Sequence, residues 1–269
     1  MDASEKGQVS TSAAEVYESF FVPALFEGWA ERVCDAASLK PGETVLDVGC
    51  GTGVLARAAL SHVSPGGKVT GLDVNEGMLA VAERGTPDID WRLGPAEALP
   101  FEANTFDAVV SQFGLMFFED RVTALKEMWR VLRPGGRLAV AVWDSLDRTP
   151  GYAAMTDLLK RQFGDEIAKT MLPIFSLGDK GVLTALLEKA NIPVAQIRTE
   201  DGNARFPSIE AWVFTDIKGW TLADEINDAQ YEELLQAALV EMKRFEQSDG
   251  TAVFSMPAHI VLATKAQSR

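Results

Sequence analysis

The stretch TVLDVGCGTG, residues 44–53, decides the fold. It places a carboxylate, Asp47, inside an apolar run of strand length and follows that run with three glycines in five residues. A buried carboxylate is costly unless it is hydrogen-bonded or meets a positive charge. Glycines between a strand and a helix let a ligand or another part of the backbone approach closely. The stretch therefore predicts a strand, a ligand-binding turn and a helix, with Asp47 facing a positively charged group.

Strand-like and helix-like segments alternate outward from this stretch as far as residue 143. In order they read TVLDV, VLARAALSHV, KVTGLDV, EGMLAVAERG, IDWRLG, FDAVVSQ, RVTALKEMWRVL and GRLAVAVW. Such alternation is typical of parallel strands joined by crossover helices that cover both faces of a sheet. SPGG (64–67) and RPGG (133–136) predict turns just before new strands. The fold class expected is a doubly wound, Rossmann-like α/β domain with a mostly parallel sheet.

The N-terminal segment, residues 13–38, carries apolar residues at helical spacing. Pro23 interrupts it, so the pattern predicts two short helices.

The chain beyond Trp143 is richer in helix. Helices are predicted at about 150–172, 179–190 and 208–248, and a strand at 192–200. TAVFSMPAHIVLATK, residues 251–265, predicts one long final strand. Because no helix-length crossover precedes it, this last strand is expected to be antiparallel.

Composition narrows the classes of protein. The 269 residues are 47% hydrophobic, which is ample for a packed core. With 25 Lys and Arg against 39 Asp and Glu, the formal net charge of −14 opposes binding to nucleic acid. No apolar run approaches the roughly 20 residues of a membrane span, and the polar start MDASEKGQVS lacks the features of a signal peptide. A cytoplasmic protein without a membrane span is expected.

Cysteine and histidine are scarce. Cys34 and Cys50 form no CxxC pair, and His62 and His259 have no neighbours at metal-ligand spacing. The sequence therefore predicts two free thiols and no metal site.

The acidic residues around the glycine turn narrow the chemical class of the ligand. A dinucleotide site would place glycines at the first, third and sixth positions, but Val54 occupies the sixth. Asp47 would repel a pyrophosphate and attract an ammonium or sulfonium group. Asp73 ends the next strand 22 residues after Gly51, the placement of an acid that binds ribose hydroxyls. The ligand predicted is a nucleoside that carries positive charge, which disfavours a nicotinamide dehydrogenase.

Five motifs carry a family resemblance over about residues 40–145. They are VLDVGCGTG, VTGLDVNEGMLAVA, AEALPF, FDAVVSQFGLMFFED and VLRPGGRLAVAVW. Together they resemble the class I S-adenosylmethionine-dependent methyltransferases, in the small-molecule branch similar to the enzymes of ubiquinone and menaquinone biosynthesis. The resemblance implies S-adenosylmethionine as cofactor and S-adenosylhomocysteine as product.

The resemblance also implies roles for particular residues. The glycine backbone would face the methionine portion, Asp47 its ammonium, and Asp73 both ribose hydroxyls, while Val74 and Met78 would flank the adenine. The cofactor-binding residues implied are Asp47, Gly49, Cys50, Gly51, Gly53, Asp73, Val74, Met78, Ala96, Glu97, Gln112 and Phe113. Relatives usually read Asp-Ala-Glu where this chain reads Pro95-Ala96-Glu97. We therefore expect backbone atoms of Ala96 or Glu97 to hold the adenine edge alone, with a weaker affinity for the cofactor.

The acceptor site is less determined. Methyl transfer from a sulfonium is an in-line displacement that positioning and exclusion of water accelerate, so a dedicated base is not required. Candidate bases are Asp144 and His259, and for His259 a structural role is the alternative. Candidate acceptor-binding residues, for which core packing is the alternative, are Tyr17, Phe21, Trp143, Trp212 and Phe214.

One methyltransferase domain is expected over residues 1–269. Its parts are an N-terminal helical cap (1–40), a cofactor-binding core (41–145), a helix-rich acceptor-covering region (146–250), and a final strand and tail (251–269). The segment 207–248 is predicted to be a lid, or alternatively a packing appendage or dimer surface. The function expected is methyl transfer to a small-molecule acceptor. The sequence does not reveal the oligomeric state. The alternative is a non-catalytic S-adenosylmethionine-binding sensor or scaffold.

Overall fold

The computed structural model describes residues 11–193, 196–219, 222 and 225–267. The start MDASEKGQVS therefore lies outside the described residues. The strands are β1 (Thr44–Val48), β2 (Lys68–Asp73), β3 (Asp90–Leu93), β4 (Phe106–Gln112), β5 (Leu132–Trp143), β6 (Gln196–Glu200), β7 (Asn203–Phe206), β8 (Ala252–Ser255) and β9 (Ala258–Thr264). The α-helices are α1 (Thr11–Val16), α2 (Glu27–Ala37), α3 (Val54–Val63), α4 (Glu76–Gly85), α5 (Arg121–Val131), α6 (Pro150–Phe163), α7 (Asp165–Lys169), α8 (Lys180–Lys189), α9 (Ile209–Lys218) and α10 (Asp228–Glu241).

A seven-stranded sheet in the order β3-β2-β1-β4-β5-β9-β6 forms the centre of the fold. Strands β1 to β5 pair in parallel; Leu46 of β1, for example, lies between Thr70 of β2 and Val109 of β4. Strand β9 runs antiparallel to both of its neighbours, β5 and β6. The predicted fold class, a mostly parallel sheet with an antiparallel last strand, is confirmed. Buried aliphatic side chains of the central strands, such as Val45, Leu46 and Val110, form the core.

The N-terminal prediction of two short helices is wrong. Helix α1 continues through a π-helical segment, Tyr17–Phe26, directly into α2. The segment contains Pro23, and the Glu27 amide at its end reaches back five residues to the carbonyl oxygen of Val22. The wider π turn accommodates Pro23, whose missing N–H would otherwise interrupt an α-helix.

The prediction of one long final strand is also wrong. Strand β8 ends at Ser255 and pairs with β7 in a separate two-stranded sheet, whereas β9 begins at Ala258 and belongs to the seven-stranded sheet. Pro257 has no N–H for a ladder, and the Met256 amide donates instead to the carbonyl oxygen of Gly202 at 2.7 Å.

The segment RPGG (133–136) is not a turn ahead of a strand. It lies inside β5, where Phe106 pairs with Leu132 and Ala108 already pairs with Arg137. The extra residues form a bulge, and Gly135 adopts a positive φ of 81°.

The helical segment predicted at about 208–248 contains α9 and α10, which follow β7 and precede β8. Helix α9 packs on the π-helical segment and on β7, and α10 packs on α6. The polypeptide from β7 to β8 is called the insertion below.

Within the described ranges, no single helix has the length and apolar character needed to cross a membrane. By length and composition alone, the bent pair Asp165–Phe175 and Lys180–Lys189 could do so together. Among the same residues, no three His, Cys, Asp or Glu side chains are grouped as metal ligands. Cys34 and Cys50 are buried free thiols.

Candidate functional site

A cavity of about 280 Å³ opens at the carboxyl ends of β1, β2 and β4. This edge is where ligands bind in open α/β sheets, because the crossover connections diverge there. Its lining comes from the glycine turn, the ends of β2 and β4 and the helical cap: Tyr17, Phe26, Asp47, Gly49, Cys50, Gly51, Thr52, Val54, Leu55, Leu72, Asp73, Val74, Asn75, Met78, Gly94, Pro95, Ala96, Glu97, Gln112, Phe113, Gly114, Phe117, Phe118, Glu119 and Gly219.

Hydrogen bonds inside the protein shape the glycine turn. The amides of Gly49 and Cys50 donate to the carbonyl oxygen of Leu72, at 2.8 and 3.1 Å. The Gly51 amide donates to Asp73 Oδ2 at 2.8 Å. Gly51 has a φ of +54°, and a Cβ built on it meets no atom within 4 Å. At Gly51 the turn therefore presents to a ligand a surface without a side chain, and the Gly51 amide is already engaged by Asp73.

Gly53 lies at the end of the glycine turn and packs against Trp91. It precedes α3 with a φ of +91°, and a Cβ there would meet the ring of Trp91 at 2.5 Å. Gly53 is absent from the lining of the cavity. Its small size serves the packing of Trp91 behind the turn.

Asp47 lacks a partner that would stabilise its charge. Its side chain is 1% exposed, and among the described residues neither carboxylate oxygen has a hydrogen bond of ordinary geometry. Burial, reinforced by the negative charge of Asp73, raises the pKa of Asp47 to about 8, and the weakly placed Ala56 amide offsets only part of this. An ammonium group in the cavity would supply the missing partner.

Asp73 is held in place at the end of β2. Its Oδ1 accepts from the Asn75 amide at 2.9 Å while Oδ2 accepts from Gly51. Burial raises the pKa of Asp73, and the amide hydrogen bonds oppose that rise. Each oxygen keeps a lone pair that a ligand hydroxyl can use.

The residues implied for the adenine also line the cavity. Val74 is 45% exposed there, and Met78 is nearly buried. Glu97 Oε1 accepts from the Asp120 amide at 3.1 Å, so this carboxylate is engaged within the protein. Pro95 lines the cavity with Ala96, and no other described residue accepts a hydrogen bond from the Ala96 or Glu97 amide.

Gln112 and Phe113 end β4 against the helical cap. Gln112 Nε2 donates to the carbonyl oxygen of Phe26 at 3.0 Å, and its Oε1 is buried without a partner. Phe113 has a φ of +56°, a costly conformation for a non-glycine residue. Its ring stacks on Trp143 with centroids 3.5 Å apart. Strain held by packing at this position is typical of a functional site.

A second cavity of about 60 Å³ adjoins the first and shares Tyr17, Phe26, Phe113 and Phe117 with it. The other residues of its lining are Phe21, Leu25, Trp143, Tyr152, Thr170, Met171, Ile174, Asp216 and Met256. The structure therefore brings Tyr17, Phe21 and Trp143, three predicted acceptor-binding residues, to one cavity next to the first.

Trp212 and Phe214, also predicted to bind the acceptor, line neither cavity. Trp212 is fully buried and donates from Nε1 to Asp216 Oδ2 at 2.7 Å. Phe214 is 40% exposed and meets Phe20 edge-on. Trp212 thus supports a residue of the lining without belonging to it.

Asp144 and His259, the predicted candidate bases, lie outside both cavities. His259 contacts Thr199 Oγ1 through Nδ1 at 3.0 Å and donates from Nε2 to the carbonyl oxygen of Gly178 at 2.9 Å. Asp144 Oδ1 lies 3.3 Å from the same Nε2 and accepts from the Ser145 amide. The pair joins β5, β6 and β9 to the loop before α8, which is a structural role.

Sequence reasoning missed Asp216 and Tyr152. Asp216 interrupts the apolar run AWVFTDI of α9 and lies four residues after Trp212, one helical turn away. A lone acid on the apolar face of a helix was the available signal. Its partner Tyr152 lies 64 residues earlier, which a local pattern does not reveal.

Comparison with known families settles the class of protein. The model of the ubiE/COQ5 methyltransferase family matches residues 16–161. The chain belongs to this family. The resemblance stated from its motifs is confirmed.

Individual relatives agree with that assignment. The chain is 42% identical over 133 residues to the demethylmenaquinone methyltransferase of Renibacterium salmoninarum, covering 49% of this chain and 55% of that one. It is 36% identical over 188 residues to the enzyme of the same name from Staphylococcus carnosus, covering 65% and 78%. The chain thus spans only about half the length of the first of these relatives.

The fold agrees as well. A solved structure of Haemonchus contortus phosphoethanolamine N-methyltransferase 2 in complex with S-adenosyl-L-methionine superimposes with a TM-score of 0.63 and 19% identity, covering 99% of this chain and 60% of that one. At this identity, the likeness concerns the fold alone.

Proposed function

We propose that the protein transfers the methyl group of S-adenosylmethionine to a small-molecule acceptor by in-line displacement and releases S-adenosylhomocysteine. Membership of the ubiE/COQ5 methyltransferase family supports the reaction class and the cofactor. The observation that carries the proposal is the pair Asp47 and Asp73 on either side of the glycine turn. One is a buried carboxylate without a partner, and the other is a fixed carboxylate with free lone pairs.

These residues fit the cofactor. Asp47 would hold the ammonium of the methionine portion, directly or through water, and Asp73 would accept from both ribose hydroxyls. The turn around Gly51 would admit the methionine portion because no side chain blocks it. Val74 and Met78 would flank the adenine. When bound, S-adenosylmethionine supplies an electrophilic methyl group.

The acceptor is a small apolar molecule, aromatic or quinone-like. The second cavity supports this choice, since Phe21, Leu25, Trp143 and Ile174 give it an apolar lining directly beside the cofactor cavity. The names of the bacterial relatives, demethylmenaquinone methyltransferases, point to the same class of acceptor. The aromatic walls hold the acceptor near the methyl group and exclude water.

The insertion acts as the cover of this site. It contributes Asp216 to the second cavity and Gly219 to the first. A side chain at position 219 would collide with Val16 and the carbonyl oxygen of Thr215, so close packing against the helical cap requires glycine there.

Calorimetric binding of S-adenosylmethionine and S-adenosylhomocysteine tests the proposal. Wild type should bind both ligands. Asp73→Ala should weaken both by about 1–3 kcal/mol, because two ribose hydroxyls lose a buried charged acceptor. Asp88→Ala, the same change at an exposed aspartate before β3, should leave binding unchanged. Failure of wild type to bind either ligand would refute the proposal.

The non-catalytic sensor or scaffold is less favoured, because an apolar cavity for an acceptor is present beside the cofactor cavity. The two functions separate on one measurement. A binder would keep cofactor affinity and show no acceptor-dependent formation of S-adenosylhomocysteine.

A further inference from the structure

Of the residues that the structure describes, Asp216 is the one carboxylate in the lining of the second cavity. It is 5% exposed and comes from α9 of the insertion, opposite the aromatic side chains of the cap and of β5. The two cavities share four lining residues, so Asp216 lies in a cavity next to the one proposed for the cofactor.

Two neutral groups hold this carboxylate. Oδ1 accepts from the Tyr152 hydroxyl at 3.1 Å, and Oδ2 accepts from Trp212 Nε1 at 2.7 Å. Tyr152 and Trp212 are themselves almost completely buried. The carboxylate is therefore fixed in direction, with one further lone pair on each oxygen for a ligand.

No Lys, Arg or His in the described part of the chain forms a salt bridge with Asp216. Burial accordingly raises its pKa to about 7, although the two hydrogen bonds oppose the rise. A buried acid that is not paired with a cation costs stability, and a pKa near neutrality suits proton exchange with a ligand. Core packing alone explains neither the apolar cavity beside it nor the two donors that orient it.

We propose that Asp216, oriented by Tyr152 and Trp212, binds the hydroxyl group of an aromatic acceptor and accepts its proton during methyl transfer. The proposal rests on the proposed function and adds the residue that would recognise the acceptor hydroxyl, together with the two side chains that orient it. The apolar walls hold the ring, and the carboxylate is the polar group that selects the hydroxyl.

The step balances as follows. The acceptor O–H bond breaks and the proton passes to an Asp216 oxygen, leaving the electron pair on the phenolate. That pair makes the oxygen, or the ring carbon ortho or para to it, the nucleophile. The new bond to the methyl carbon forms as the methyl–sulfur bond breaks, and its electron pair stays on sulfur as the thioether. In methylation at carbon, the methylated ring carbon then passes its proton to water, and the electron pair of that C–H bond restores the aromatic ring.

Binding of matched probes tests the recognition without turnover. The probes are phenol with its methyl ether anisole, and 1-naphthol with 1-methoxynaphthalene, each titrated into the protein saturated with S-adenosylhomocysteine. Wild type should bind a hydroxyl probe about tenfold or more tightly than its ether, because only the hydroxyl can donate to Asp216. Asp216→Asn should reduce this preference, while Asp157→Asn, an exposed aspartate on α6, should retain it.

The pH profile of methyl transfer to the preferred hydroxyl probe tests the proton transfer. With saturating cofactor, the wild-type rate should rise with pH through about 7, because Asp216 must be ionised to accept a proton. Tyr17 and Tyr152 are the other titratable side chains lining this cavity, and burial raises the pKa of both, so they stay neutral in this range.

Two variants separate catalysis from structure. Asp216→Asn should lower the rate roughly 100-fold and remove the rise near pH 7. Tyr152→Phe should keep the rise but move its midpoint upward, because it removes a hydrogen bond that lowers the pKa of Asp216. A merely structural Asp216 would produce neither change in the pH profile.

Failure of this proposal can be distinguished from failure of the proposed function. If wild type fails to bind S-adenosylhomocysteine, the proposed function fails. If it binds the cofactor but shows no preference for either hydroxyl probe over its ether, the role of Asp216 is refuted. An Asp216→Asn variant that keeps the hydroxyl preference, or the wild-type rise near pH 7, refutes it as well.

Discussion

Two regions of the molecule each bury a carboxylate, and they differ in whether the protein supplies hydrogen bonds to it. Asp47 lies in β1 of the parallel sheet, 1% exposed and without a hydrogen bond of ordinary geometry. Asp216 lies in α9 of the insertion, 5% exposed and with a donor on each oxygen. Burial raises the pKa of both, to about 8 and about 7. Asp47 therefore suits a ligand that brings positive charge, and Asp216 a neutral ligand that donates a hydrogen.

The surroundings of the two carboxylates differ in how much open space they leave. Around Asp47 the glycine turn leaves room, and a Cβ on Gly51 would meet nothing within 4 Å. Around Asp216 large side chains fill the space, with Trp212 fully buried and Phe254 packed at 4.5 Å from its ring. The first region leaves a cavity of about 280 Å³, whereas the second leaves one of about 60 Å³.

The largest effect should come from filling the space beside Asp47. Gly51→Val should weaken S-adenosylhomocysteine binding at least 100-fold, more than about 2.7 kcal/mol, because a branched side chain would occupy the cavity. Calorimetric titration measures this loss. Gly42→Val is the matched control, since Gly42 also has a positive φ and open space around it but lies outside the cavity.

Both valine variants carry a backbone penalty of about 1–2 kcal/mol, so both should melt at lower temperature. Only Gly51→Val should lose the ligand. Equal affinity in the two variants would show that the turn does not contact the cofactor.

The second-largest effect concerns the stability of the protein, which should depend on pH through both carboxylates. A raised pKa in the folded protein means that the folded state binds the extra proton, so stability falls as pH rises between the unfolded and folded pKa values. For Asp47 this window runs from about 4 to about 8, and for Asp216 from about 4 to about 7. Without ligand, Asp47→Asn should gain roughly 2 kcal/mol at pH 8, since the buried amide still costs part of what the charge cost.

Chemical denaturation at pH 5, 6.5 and 8 measures that difference. Saturating S-adenosylhomocysteine should cancel the advantage of Asp47→Asn, because only the wild-type carboxylate pairs with the ligand ammonium. The gain in stability at pH 8 that we expect for Asp216→Asn should remain with the ligand bound, since Asp216 lies outside the lining of the first cavity. If the ligand changes both variants alike, the contrast between the two carboxylates is wrong.

The two sites also differ in how far they could be predicted from sequence. Asp47 and Asp73 lie next to the glycines that mark the site, and the strand-helix alternation fixes their place at the sheet edge. Asp216 becomes a site residue only because α9 folds back onto Tyr152 of α6, a contact that depends on tertiary packing. His259 is a candidate base by residue type alone, whereas in the structure its ring contacts Thr199 Oγ1 and donates to the carbonyl oxygen of Gly178.

Errors in the predicted fold have similar causes. Pro23 is normally a sign that an α-helix ends, but the π-helical hydrogen bonding around it was not visible in the spacing of apolar residues. The apolar run 251–265 looks continuous, and only the pairing partners of its two halves reveal that it divides between two sheets.

The smallest effect should come from restoring an acid at the adenine edge. Pro95 lines the cavity at the position where the resemblance drawn from the motifs implies an aspartate. Pro95→Asp should tighten S-adenosylhomocysteine binding about fivefold, close to 1 kcal/mol, because the new carboxylate can accept from the adenine amino group. Glu97 does not already supply that acceptor if its Oε1 stays on the Asp120 amide.

The matched ligand is the analogue in which an oxygen replaces the adenine amino group, and it should gain nothing from the substitution. Equal gains for both ligands would mean that Pro95→Asp acts through loss of the proline ring. No gain for either would mean that the backbone of Ala96 and Glu97 already holds the adenine edge as well as an added acid could.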